Sequence, residues 1–85
     1  MKLEGKLFKQ NIVIRQATVT KDMPELSFVK ELECALIELC HALDVPIPLW
    51  LSKNTHEFAA FRQTLFFSDQ YTETVNFDRF QIRLL

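Results

Sequence analysis

Apolar and polar positions alternate along residues 2–20, recur at three-and-four spacing from Val29 to Leu43, and return to alternation in the last residues of the chain. Strands repeat every two residues and helices every 3.6, so this pattern predicts a strand region, a helical region and a closing strand. In the first segment IVIRQATVT gathers β-branched residues, and the polar pair Gln10-Asn11 separates it from KLEGKLFK, which predicts a β-hairpin. Asn accepts the positive φ of a tight hairpin turn. A two-residue loop pairs Lys9 with Ile12, Phe8 with Val13, Leu7 with Ile14 and Lys6 with Arg15. Leu3, Leu7, Ile12 and Ile14 then share one face, and Lys2, Glu4, Lys6, Phe8, Val13 and Arg15 share the other. A three-residue loop would instead move Arg15 to the Leu3/Leu7 face.

The next segment, KDMPELSFVKELECALIELCHALDVP, carries Val29, Leu32, Leu36, Leu39, Cys40 and Leu43 at helical spacing. Pro24 suits a first turn and Glu25 the positive end of a helix dipole, so the segment predicts a helix of about 18 residues ended by Pro46. Lys30, Cys34, Glu38 and His41 form its polar side, while Phe28, Ala35 and Ile37 widen the apolar stripe beyond what one sheet covers. Asn54 and Glu57 have the spacing of a capping box, and Phe58, Phe61 and Leu65 follow as the apolar side of a second, shorter helix. Ser68 to Glu73 is expected to add a further turn. Phe80, Ile82 and Leu84 alternate with Arg79, Gln81 and Arg83, which predicts a last strand with one buried face.

These elements make one α+β domain over residues 1–85, with the order β-β-α-α-β and a small antiparallel three-stranded sheet. The expected strand order is 2-1-3, with both helices packed on one face. An 85-residue chain cannot support two cores, and its 48% hydrophobic content, with eight Phe, predicts a compact aromatic interior. Glu4, Lys6 and Lys9 interrupt any apolar run at the start, and no stretch reaches the ~18 uncharged apolar residues of a membrane span, so a soluble, cytoplasmic protein without a membrane role is expected.

Net charge is −1, but its distribution is uneven: residues 1–21 carry +4 and residues 22–48 carry −5. If Phe80, Ile82 and Leu84 face the helices, Arg79 and Arg83 share the opposite side of the sheet with the hairpin's outer face. Lys2, Lys6, Phe8, Arg15, Arg79 and Arg83 are therefore the candidate binding surface, a basic sheet face with an aromatic that suits nucleic acid or another anionic surface.

The run Pro48, Trp50, Leu51, Lys53, Asn54, Glu57 and Phe58, with the terminal Phe77, Asp78 and Ile82 and the Gly5-Lys6-Leu7 of the hairpin, resembles a family of short uncharacterised bacterial proteins. The resemblance implies a small self-contained bacterial domain and carries no activity with it.

The single glycine, Gly5, lies in a strand, so phosphate-cradling loops, dinucleotide fingerprints and nucleophile elbows are disfavoured. Cys34 and Cys40 stand about 9 Å apart along one helix, too far for a disulfide. Cys34 and His41 share a face but are separated by about 10.5 Å, too far to ligate one zinc ion. No cofactor, metal or catalytic residue is expected. The function expected is that of a non-enzymatic module that binds another protein or itself as a homodimer, with nucleic-acid or anionic-surface binding as the alternative. Trp50, braced by Pro46 and Pro48, is expected to lie over the end of the core, with Leu49 or Leu51 more exposed than the indole.

Overall fold

The computed structural model describes residues 1–85. Its elements are β1 (Lys2–Lys9), β2 (Ile12–Thr20), α1 (Phe28–Leu43), α2 (Ser52–Phe61), β3 (Gln63–Phe67), a 3-10 turn (Ser68–Gln70) and β4 (Arg79–Leu84). All neighbouring strands are antiparallel, in the order β2-β1-β4-β3. α1 packs over β1 and β2, and α2 over β3.

The α+β class and the antiparallel sheet follow the sequence pattern, but the sheet has four strands rather than three. The expected helix stripe of Phe58, Phe61 and Leu65 is cut at Arg62, which takes a left-handed conformation (φ 58°) and donates its N–H to Phe58 O. Non-glycine residues adopt this C-cap less often than glycine, so the stop carried no Gly or Pro signal. QTLFF then runs as a strand beside β4, burying Thr64 and Phe66 and leaving Phe61 and Phe67 exposed. The expected turn over Ser68 to Glu73 is confined to Ser68–Gln70. The last strand does lie beside β1, as the 2-1-last order requires, with β3 added at the outer edge.

The hairpin turn has the expected two residues, Gln10 and Asn11, both at positive φ (53° and 65°). The register still departs from expectation beyond Phe8↔Val13, because Ile14 is an extra residue and Leu7 pairs with Arg15. Such a bulge reverses which side of the sheet every later side chain faces. Ile14, expected to share the Leu3/Leu7 face, is exposed at the bulge and Val19 beyond it is buried; Ile12, paired with Lys9 as expected, is exposed beside the turn.

α1 begins later than expected, at Phe28, because Ser27 caps it by accepting from Lys30 N; Pro24 lies in a turn before the helix. Its inner side buries Leu32, Ala35, Leu36, Leu39, Cys40 and Leu43, whereas Val29 is largely exposed. Asp44 closes it in a left-handed conformation, its N–H reaching Cys40 O and His41 O.

The core joins these α1 residues to Leu3, Leu7, Phe66, Phe80 and Ile82 from the sheet and Phe58 from α2. Gly5 sets how closely α1 approaches. A Cβ placed there would stand 2.7 Å from Leu39 Cδ2 and 2.8 Å from Phe80 Cε1. Both neighbours are fully buried, so neither has free space to move into. Gly5→Ala is therefore expected to lower the unfolding free energy by about 1–3 kcal/mol, the usual cost of overpacking. Urea denaturation checks this, and an unchanged or raised stability would show that α1 can lift off β1 without loss.

Candidate functional site

Two surfaces on opposite sides of the sheet bring functional side chains together. The first is the face that no helix covers. Leu3 and Leu7 on β1, Phe80 and Ile82 on β4 and Thr64 and Phe66 on β3 are buried beneath the helices, so the residues between them point the other way. The register places Phe8, Arg79 and Phe67 in one row across three strands, and Lys6, Gln81 and Leu65 in the next. Glu4, Arg83 and Gln63 make the row after that. Five of the six candidate residues, Lys2, Lys6, Phe8, Arg79 and Arg83, thus share this face.

Arg15 does not. The bulge at Ile14 sends its side chain to the helix side, where Nη1 donates to Leu43 O at 2.6 Å. A cation there satisfies one of the unpaired carbonyls at the end of α1 and lies at the negative end of its dipole. Arg15 is therefore a fixture of the fold rather than a member of the basic face. The face gains Gln63, Leu65 and Phe67 from β3, none of which could be assigned to it while that segment read as helix.

Cations and rings alternate along the Phe8 row. The Arg79 guanidinium lies 4.3 Å from the Phe8 ring centroid, with its Nη1 donating to Asn11 Oδ1 at 3.2 Å, and Lys53 Nζ lies 4.5 Å from the Phe67 centroid. Glu4 is the one carboxylate in these rows, 3.9 Å from Lys6 Nζ and only weakly paired at that distance.

The second surface is a groove of about 450 Å³ between α1 and α2, walled by Phe28, Val29 and Leu36 on one side and Phe58 and Ala59 on the other. Trp50 closes one end of it. The indole packs edge-on against Phe58 at 6.0 Å and tilts over Phe66 at 5.5 Å, and its Nε1 donates to Thr55 Oγ1 at 2.8 Å. It is 37% exposed against 52% for Leu49 and 44% for Leu51, the relation expected of a ring laid over the core with its N–H kept polar.

The Trp50 loop is held from below by Asn54. The sequence placed this residue at the helix N-cap, but the helix starts at Ser52 and Asn54 is fully buried in its first turn. Its Oδ1 accepts from Leu51 N and Gln70 Nε2, and its Nδ2 donates to Thr64 Oγ1 and Leu65 O. Glu57, expected to complete the capping box, instead accepts from the Thr64 hydroxyl at 2.6 Å. Gln70 Nε2 also donates to Leu49 O, so both residues flanking Trp50 are tied to this cluster.

His41 and His56 are exposed, and no three His, Cys, Asp or Glu side chains meet closely enough to hold a metal ion. Both cysteines are free. Burial among apolar side chains pushes the Cys40 thiol up to about 12, and also raises the Tyr71 hydroxyl, which is buried without a hydrogen-bond partner. No helix is long and apolar enough to cross a membrane. No family model, curated protein or solved structure matches this chain.

The two thiols are expected to differ sharply. Cys34 should react with a thiol reagent in the native protein and Cys40 only on unfolding, because the thiolate is the nucleophile and burial suppresses it. A folded-state value raised from 9.0 to about 12 means that the unfolded chain loses this proton first as pH rises. Stability from Cys40 is thus complete below pH 9 and lost progressively toward pH 12, and Cys40→Ala should flatten that decline in urea midpoints. Equal labelling of both thiols in native protein would contradict the burial of Cys40.

Proposed function

We propose that this chain is a non-enzymatic interaction module that receives an amphipathic helix of another protein in the groove between α1 and α2. The observation that carries this is the groove itself: eight of its eleven lining residues are hydrophobic, and Phe28 and Val29 remain 54% and 68% exposed along it. Apolar side chains left open beside a preformed cleft mark protein contact surfaces more often than isolated exposed residues do. The cleft lies between two helices, so a third helix can insert apolar side chains spaced at i, i+3 and i+4 into it. Trp50 at its end supplies the kind of large, partly buried ring that dominates binding energy at interfaces.

Charge selects the partner. On α1, Glu38 is paired with Lys21 and Glu31 accepts from Met23 N, whereas Glu33 borders the groove with its only cation, Lys30 Nζ, 3.9 Å away. A helix with Lys or Arg flanking its apolar stripe complements Glu33, which raises its association rate and disfavours acidic competitors.

The test uses two synthetic amphipathic helices with identical Leu positions, one with Lys and one with Glu on the polar side, titrated while Trp50 emission is followed. The Lys peptide is expected to shift the emission and saturate, and Val29→Ser or Phe28→Ser to weaken it by about tenfold, as for a contact residue worth over 1 kcal/mol. The Glu peptide is expected not to bind. Binding that leaves Trp50 unperturbed, or that both serine variants leave unchanged, would overturn the proposal.

A further inference from the structure

We propose that the open face of the sheet is a separate binding surface for single-stranded nucleic acid. It is independent of the groove, from which the whole sheet separates it.

Sign segregation is the first ground. Lys2, Lys6, Arg79 and Arg83 project from this face, with Lys53 at its β3 edge, against Glu4 alone, in a chain whose net charge is −1. The acidic residues of α1 lie on the opposite side, so the face presents a positive field that the net charge conceals. The second ground is the row Phe8, Arg79, Phe67. Bases stack on aromatic rings and on guanidinium planes, and here two rings and a guanidinium stand on three adjacent strands. Gln63 and Gln81 lie in the rows beside them and offer amide donors and acceptors to base edges.

Geometry favours a single strand over a duplex. Four strands at ~4.8 Å spacing make a surface about 14 Å wide, broader than the ~12 Å major groove, so the sheet cannot enter it. A strand with unstacked bases can lie across the rows with its phosphates near the lysines and arginines. The amides and stacked guanidinium have no counterpart role at a lipid bilayer, which is the competing anionic surface.

The test is fluorescence anisotropy of the whole chain with a labelled mixed-sequence DNA of about 12 nucleotides, across salt from about 20 to 200 mM. Binding at low salt is expected, with a slope of log affinity on log salt of about −2 to −3 from three or four phosphate contacts. Arg83→Gln should reduce the magnitude of that slope by about 0.7, whereas Phe67→Ala should weaken binding by about tenfold with the slope unchanged. Val29→Ser, in the groove, should leave this binding intact, so failure here and failure of the groove proposal are distinguishable. Circular dichroism of each variant confirms that it is folded. Absence of binding at low salt would overturn the proposal. So would binding to anionic phosphatidylglycerol vesicles without binding to DNA, or DNA binding that neither face variant alters.

Discussion

The carboxamide of Asn54 is sealed from solvent and makes four hydrogen bonds, the full capacity of that side chain, to three segments of the chain. It joins the start of α2 through Leu51, the edge strand β3 through Thr64 and Leu65, and the 3-10 turn through Gln70. Leaving a buried partner unsatisfied costs about 1–3 kcal/mol, a large share of the stability of a domain this small. The half of the protein built from α2 and β3 depends on this cluster, because its apolar contribution to the core is slight: Phe58 and Phe66 carry most of it. The other half, where α1 closes on Gly5 and β1, is held by ordinary apolar packing.

The groove is a consequence of that division. α1 is seated by its own apolar stripe over β1 and β2, α2 is seated by the polar cluster over β3, and the space between them is spanned by the Pro-Ile-Pro loop with Trp50. Because Gln70 and Asn54 bond to Leu49 and Leu51, the indole is directed over Phe58 and Phe66 and cannot swing away with the loop. A rigid ring at the end of an apolar cleft loses little conformational entropy when a partner covers it. The opposite side of the sheet has the reverse character, cationic and amide-rich, and gains its second aromatic only because β3 completes the row.

Elements whose own periodicity settles them were legible in the sequence. The hairpin turn, the inner stripe of α1 and the alternation of β4 all follow from side-chain spacing, and of the residues that widen the apolar stripe of α1, Phe28 is left uncovered beside the groove whereas Ala35 is buried in the core. Three features resisted for definable reasons. Phe58, Phe61 and Leu65 match a helical repeat by coincidence, and the stop at Arg62 uses a left-handed arginine where a glycine would have signalled it. The bulge at Ile14 leaves no mark in a run of β-branched residues, yet it decides that Arg15 caps α1 and does not join the basic face. Asn54 has cap-like spacing to Glu57, but the bonds that matter reach residues ten to sixteen positions away, beyond any local pattern.

Asn54 fixes the Trp50 loop and β3 together, which equilibrium urea unfolding of Asn54→Ala, followed by Trp50 emission, can test. Deleting the carboxamide leaves the part-buried Leu51 N–H and Leu65 C=O without this partner and removes one bond each from Thr64 and Gln70, so a loss of about 2–3 kcal/mol and a red-shifted native emission are expected. A variant that loses less than about 1 kcal/mol and keeps the native emission would show instead that apolar contacts alone position the loop.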